Sequence, residues 1–149
     1  MATIQLLLVD DEERFLNTTK ILLEKRGIVT FTATNGADAL KTMNEHRIDV
    51  VILDVKMPGI DGLEVLRKTK QKHPLVEVIM LTGHATVESA VEGLKLGAFD
   101  YVKKPCDISD LIPKVNEAYD KKHAMEEKIR KALIDKIIRH PMAVFEKEN

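Results

Sequence analysis

The stretch DVVILDVKMPGIDG runs from Asp49 to Gly62. Its core is a continuous apolar run, Val50 to Leu53, that ends in one acid, Asp54. A Pro-Gly turn, Pro58-Gly59, follows almost at once. An unbroken apolar run of this length reads as a strand buried on both faces, the habit of parallel sheets. The acid at its tip has a plain explanation, since Asp commonly opens a turn at a strand end. The remainder of the chain has to decide between that and a functional carboxylate.

Short apolar runs recur on both sides of this stretch, with helical patterns between them. IQLLLVD (4–10), VTFTAT (29–34), DVVILDV (49–55), VEVIMLT (76–82) and FDYVKK (99–104) read as strands. EERFLNTTKILLEKRG (12–27), GADALKTMNEHR (36–47), DGLEVLRKTKQKH (61–73) and TVESAVEGLKLG (86–97) carry apolar residues at helical spacing. A last helix is expected to start near Asp107, an N-cap residue with an acid three positions on at Asp110. Alternating strands and helices predict an α/β fold, a five-stranded parallel sheet doubly wound by helices on both faces. Ligands of such folds bind beyond the carboxyl ends of the strands, near the topological switch point.

Composition narrows the function classes. The chain has 149 residues, 44% apolar and 32% charged, with a formal net charge of -1. That suits one soluble domain with an appendage and gives no basic field for nucleic acid or membrane. Trp is absent and aromatics are sparse, so base-stacking platforms are not expected. One cysteine, Cys106, excludes an internal disulfide and a Cys-rich zinc site. The apolar run near the N-terminus stops at Asp10 after six residues, too short for a signal segment or a membrane span, and a cytoplasmic protein is expected.

What stands at the strand ends shifts the reading of Asp54. Strand one ends in Asp10-Asp11, strand three in Asp54, strand four in Thr82 and strand five in Lys103-Lys104 before Pro105. Three carboxylates, a hydroxyl and an ammonium therefore gather at one edge of the sheet. Three acids side by side repel one another, and a divalent cation relieves that. Oxygen-only ligands favour a hard ion such as Mg²⁺, which keeps waters and bridges to phosphate. A lysine supplies a point charge for phosphate oxygens, and a threonine hydroxyl can donate to another. A carboxylate can serve as nucleophile and form an aspartyl phosphate. The set suits phosphoryl transfer, where positioning and charge stabilisation carry most of the catalysis.

With LLLVDDEE, VILDVKMPGIDG, LTGHA and YVKKP in this order, the chain resembles the receiver domain of bacterial two-component response regulators over roughly residues 4–122. The resemblance implies a flavodoxin-like sheet of order 2-1-3-4-5, with Asp54 as the phosphoacceptor. It implies a metal site of Asp11, Asp10, Asp54 and the backbone carbonyl of Lys56, holding Mg²⁺. Lys104 would pair with the phosphoryl group, and Thr82 would contact one of its oxygens. Thr82 movement would be coupled to Tyr101, the switch aromatic, and would remodel a surface of helix four, strand five and helix five. The Lys104–Pro105 bond is expected to be cis. Lys56 and His84, each two residues past a key position, would tune the lifetime of the phosphoryl group. The implied partner is a sensor histidine kinase or phosphotransfer protein. The implied role is that of a phosphorylation-dependent switch, one that catalyses its own phosphotransfer and dephosphorylation rather than serving as an enzyme for other substrates.

Other candidates have plainer readings. His46, His73, His123 and His140 sit in helix ends or linkers without ligand spacing, and His84 reads as a loop residue otherwise. Met57 and Met80 read as core or loop filler, and Cys106 as a small buried hydrophobe. Asp10 or Asp11 could cap the first helix, and Lys103 reads as a solvated charge. A Mg²⁺-dependent phosphatase would need a second acid just after Asp54, where Val55, Lys56 and Met57 stand. A flavin domain on the same topology would need a phosphate-cradling loop where DDEE stands. An interaction domain that has lost phosphorylation is disfavoured by the complete set of five motif residues.

A minimal receiver ends near Lys122, which divides the chain into a receiver, 1–122, and an amphipathic helical extension and tail, 123–149. Met125, Ile129, Ala132, Leu133, Ile137 and Ile138 fall on one helical face and continue the spacing of Leu111, Val115 and Ala118, with Lys122 and Lys136 as interruptions. About four imperfect heptads fit a homodimer through helix five and its extension. A helix folded back on its own domain and an amphipathic linker are the alternatives. Pro113 is placed to kink the helix and Pro141 to stop it, with loose residues beyond. No DNA-binding domain fits in this extension, and both a stand-alone receiver and a piece of a longer regulator are compatible with the sequence.

Overall fold

A computed structural model describes residues 3–57, 61–83 and 87–140. The strands are β1 (Gln5–Val9), β2 (Val29–Ala33), β3 (Val50–Asp54), β4 (Glu77–Thr82) and β5 (Asp100–Lys103). The helices are α1 (Glu13–Lys25), α2 (Gly36–Glu45), α3 (Gly62–Lys72), α4 (Val87–Lys95) and α5 (Ile108–Arg139). All neighbouring strands pair in parallel, in the order β2-β1-β3-β4-β5, as expected. The chain leaves β1 for β2 on one side and returns to β3 on the other, so the switch point lies between β1 and β3.

The period-two alternation of the strands divides the core in two. Leu7, Val9, Val51, Leu53, Val78 and Met80 face α2 and α3 through Ala39, Met43, Val65 and Leu66. Leu6, Leu8, Val50, Ile52, Ile79 and Leu81 face α1 and α5 through Leu16, Leu23, Leu111 and Val115. Every residue of β3 and β4 is buried, which accounts for the apolar runs 50–53 and 78–81 within them. Helix α4 lies so close to the sheet that a Cβ on Gly93 would meet Met80 Sδ at 2.2 Å.

Helix α5 is continuous through Pro113, close enough to its start that few backbone bonds are given up. Asp107 N–H donates to the Asp110 carboxylate at 3.0 Å, as the sequence suggests. The helix ends at Arg139 with His140 as its cap. Pro141 and the tail after it lie outside the described residues. Buried positions on α5 stop at Lys122. Beyond it Met125, Ile129, Leu133 and Ile137 are exposed, so the helix does not fold back on its own domain. At 1.5 Å per residue the projecting arm is about 25 Å long.

Lys122, which looked like an interruption of the apolar stripe, is buried. Its ammonium donates to Asp49 at 2.8 Å and to Glu126 at 3.5 Å. Asp49, also buried, accepts a second bond from Gln5 N–H at 2.9 Å. The pair fastens the root of the arm to the starts of β1 and β3. Cys106 is likewise corrected: it is partly exposed, at the edge of the core between α1 and α5. Burial of its surroundings raises the thiol pKa, which disfavours the reactive thiolate. Among the described residues no helix is long and apolar enough to cross a membrane.

Candidate functional site

The sheet delivers its charged residues to one edge because the parallel strands end there together. Pairing of Val9 with Leu53 in β1 and β3 puts Asp10 beside Asp54. Pairing of Asp54 with Leu81, and of Thr82 with Lys103, brings the ends of β4 and β5 alongside. Asp10, Asp11 and Asp54 each offer a carboxylate oxygen within 4.8 Å of the others. Asp10 and Asp54 are buried and Asp11 is exposed, so the cluster has a closed floor and an open mouth.

The hydrogen bonds give each acid a different state. Asp10 Oδ1 accepts Glu12 N–H at 2.9 Å, but Glu12 is itself the N-cap of α1, so neither Asp10 nor Asp11 caps the helix. Asp10 Oδ2 accepts the Lys104 ammonium. Asp54 Oδ1 accepts only a bond from Lys56 N–H, at 3.2 Å, among the described residues. Burial, with the charges of Asp10 and Asp11 adding to it, pushes the Asp54 carboxyl up from 3.8 to about 6, against the Lys56 bond and the Lys104 charge. Repulsion and poor solvation of this kind are what a bound cation relieves, and the donor set is all oxygen, so these residues fit Mg²⁺.

Lys104 sits under opposing influences. Burial works against its charge, but the Asp10 hydrogen bond and the charges of Asp10, Asp54 and Glu12 outweigh it and raise its pKa. Its ammonium also lies 4.4 Å from the centre of the Phe15 ring on α1. The Lys104–Pro105 peptide is cis, as expected, and Lys104 N–H donates to Thr82 C=O at 2.9 Å. Thr82 is buried at the end of β4. Tyr101 pairs with Met80 in the ladder and is partly buried against the same core. The structure therefore brings Asp10, Asp11, Asp54, Lys104 and Thr82 to one edge, with Lys56 directly beyond Asp54 and Tyr101 further down β5. His84 lies outside the described residues, as does the Pro58-Gly59 turn.

Two contacts at the site escape the sequence reading. Gly62, at the start of α3, donates its N–H to Val55 C=O at 3.1 Å. A Cβ there would lie 2.5 Å from the Asp54 carbonyl oxygen and 2.6 Å from Val55 Cα. The Asp-Gly dipeptide signals a tight turn, but not that the turn returns to the residue before it in space. The second is Phe15, whose helical spacing marks it as a core-facing residue and nothing more.

A groove of about 510 Å³ runs between α1 and α5 beside the site, lined by Phe15, Leu22, Cys106, Ile108 and Leu111 with Glu12 and Arg14 at its rim.

The profile of the response regulator receiver domain matches residues 6–116. An NtrX-like response regulator of Rickettsia bellii is 40% identical over 114 residues, covering 75% of this chain and 24% of that protein. The DNA-binding transcriptional regulator NtrC of Escherichia coli is 37% identical over 110 residues, covering 74% of this chain and 24% of its own length. The chain thus spans about a quarter of the length of these curated relatives. A CheY-like receiver domain crystal structure from Methanospirillum hungatei superposes with a TM-score of 0.80 at 31% identity, over 83% of this chain and 99% of that one.

Proposed function

The chain belongs to the response regulator receiver domain family, and on that premise we propose that it is a phosphorylation-driven switch with Asp54 as its phosphoacceptor. The convergence of Asp10, Asp11 and Asp54 within 4.8 Å carries this reading. Asp54 is the buried acid with one hydrogen bond, at the floor of an open site, while buried Asp10 is held on both oxygens, so Asp54 has an oxygen to spare for phosphorus. The donor is a phosphohistidine on a sensor histidine kinase or phosphotransfer protein, and the α1–α5 groove beside the site suits the approach of that partner.

Asp11, Asp10, Asp54 and the Lys56 carbonyl would hold Mg²⁺, which when bound supplies positive charge against phosphoryl oxygens. The chain's own residues do the rest. Asp54 attacks phosphorus in line, and the bond to the donor breaks. Lys104 leaves part of its hold on Asp10 and meets the charge on the transferred group. Thr82 donates its hydroxyl to another phosphoryl oxygen. The new contacts exist only in the phosphorylated state, so they can shift a two-state equilibrium. Thr82 and Tyr101 pass that shift to α4, β5 and α5, the surface within 83–122.

The receiver proper is 1–122, with the Lys122–Asp49 pair at its boundary, and 123–149 is its extension. The exposed stripe of Met125, Ile129, Leu133 and Ile137 supports self-association through the arm. The deciding experiment is incubation with acetyl phosphate and Mg²⁺. One acid-stable, hydroxylamine-labile phosphoryl group is expected per chain, absent from Asp54→Asn. Wild-type labelling of that variant rejects Asp54 as the acceptor.

A further inference from the structure

We infer that Phe15 is a positioning residue for Lys104, holding its ammonium over the aromatic ring at the mouth of the phosphorylation site. The inference rests on the phosphoacceptor reading above. The geometry is specific: Lys104 Nζ lies 4.4 Å from the ring centre, within cation–π range, while the same ammonium is bonded to Asp10 and lies 3.9 Å from Glu12 Oε2. Phe15 is only partly buried, packed at the edge of the core formed by α1, α5 and the sheet. The ammonium is therefore bounded by the ring on one side and by carboxylates on others.

This arrangement has a consequence for transfer. A lysine stem of four methylenes has many rotamers, and ordering it at the moment of reaction costs entropy. A ring that attracts the ammonium without offering a lone pair narrows those rotamers and leaves all three N–H donors for oxygen ligands. When Lys104 turns from Asp10 toward the phosphoryl oxygens, the ring remains as a pivot. A leucine at position 15 would fill similar space and keep the apolar groove, but it has no quadrupole to hold the charge.

The test uses the full chain with Mg²⁺ and acetyl phosphate, a donor that needs no protein docking on the groove. In the reaction an Asp54 oxygen bonds to phosphorus as the phosphorus–oxygen bond to acetate breaks, and acetate leaves with the electron pair. Phe15→Leu should slow this reaction by roughly three- to five-fold, the size of a cation–π contact at a part-exposed site. Phe15→Tyr should restore the rate. If Phe15→Leu does not fold, Phe15→Met takes its place with the same expectation. In a Lys104→Met background the Phe15→Leu change should have no further effect, a non-additivity that a packing role alone does not produce. Wild-type rates in both Phe15→Leu and Phe15→Met, a Phe15→Tyr variant as slow as Phe15→Leu, or additivity with Lys104→Met each overturns the positioning role. The phosphoacceptor reading fails separately, by labelling of Asp54→Asn.

Discussion

Gly62 stands against the backbone of Asp54, near enough that a methyl group there would sit 2.5 Å from the Asp54 carbonyl oxygen. The neighbouring atoms at 2.6 and 2.7 Å are also backbone, of Val55, and cannot turn aside as a flexible side chain does. Gly62→Ala should therefore force the start of α3 away from the end of β3. Overpacking of this kind costs about 1–3 kcal/mol. The urea midpoint should fall, and acetyl phosphate labelling should fall with it, because the displaced peptide carries the carboxylate. A variant with wild-type stability and labelling would show that the loop has slack the geometry does not reveal.

The raised Asp54 pKa fixes the sign of a pH effect. Between 3.8 and about 6 the folded state keeps a proton that the unfolded chain has lost, so stability falls as pH rises through that window. Above about 6 the penalty is complete and constant. Asp54→Asn has no such titration. In metal-free buffer it should be more stable than wild type at pH 7.5 by about 1–2 kcal/mol after allowance for screening at the open mouth, and melt at higher temperature. The difference should shrink toward pH 4. Equal melting curves across the range would mean that Asp54 is not held under strain.

Mg²⁺ held at the proposed site would act on the same repulsion from outside. Binding to the folded state alone stabilises it by mass action, so the wild-type melting temperature should rise with Mg²⁺ concentration. Asp11 is the exposed member of the cluster, with no hydrogen bond or ion pair among the described residues. Asp11→Ala should leave the metal-free melting temperature nearly unchanged and weaken Mg²⁺ affinity at least several-fold by calorimetric titration. Unaltered affinity removes Asp11 from the metal site.

The carboxylates and Lys104 were legible because each stands at a strand end, and parallel strands deliver their ends to one edge whatever their lengths. Order and type of element followed from apolar runs and helical spacing for the same reason. Gly62, Phe15 and Lys122 were not legible, because their roles are distances between elements. Sequence spacing relates Phe15 to its own helix but says nothing of its distance to Lys104. Lys122 looked like a flaw in an apolar stripe because its partner, Asp49, reads on its own as the polar start of a strand.

That buried pair yields its own prediction. Asp49→Ala leaves the Lys122 ammonium buried with only Glu126, at 3.5 Å, and orphans Gln5 N–H. Breaking one side of a buried pair costs about 3–5 kcal/mol. Replacing both sides, in Asp49→Leu with Lys122→Met, should recover much of the loss, since no charge is left stranded. Urea unfolding of the two variants measures the difference. If the double variant is no more stable than Asp49→Ala, the pair is not what fastens α5 to the sheet.

Beyond Lys122 no described residue of the arm is buried. Met125, Ile129, Leu133 and Ile137 recur every fourth residue on one side, and Ile134 and Ile138, the latter 74% exposed, widen the apolar face toward the end. Such a face is covered most simply by the same face of a second copy, each arm shielding the other. Ile129→Glu with Leu133→Glu places charges in the middle of that contact. Self-association by sedimentation equilibrium should weaken by about ten-fold or more, since each buried charge in a small apolar contact opposes it by over 1 kcal/mol. Labelling by acetyl phosphate should be unchanged, because the arm touches none of the residues at the far edge of the sheet. Truncation after Lys122 should behave like the double variant. Beryllofluoride, as a mimic of the phosphoryl group, should shift the monomer–dimer balance of the wild type and not of the truncated chain, because α5 links the switch surface directly to the arm. The same monomer–dimer balance for all three proteins at every concentration would reject the arm as a contact between copies while leaving the chemistry at Asp54 untouched.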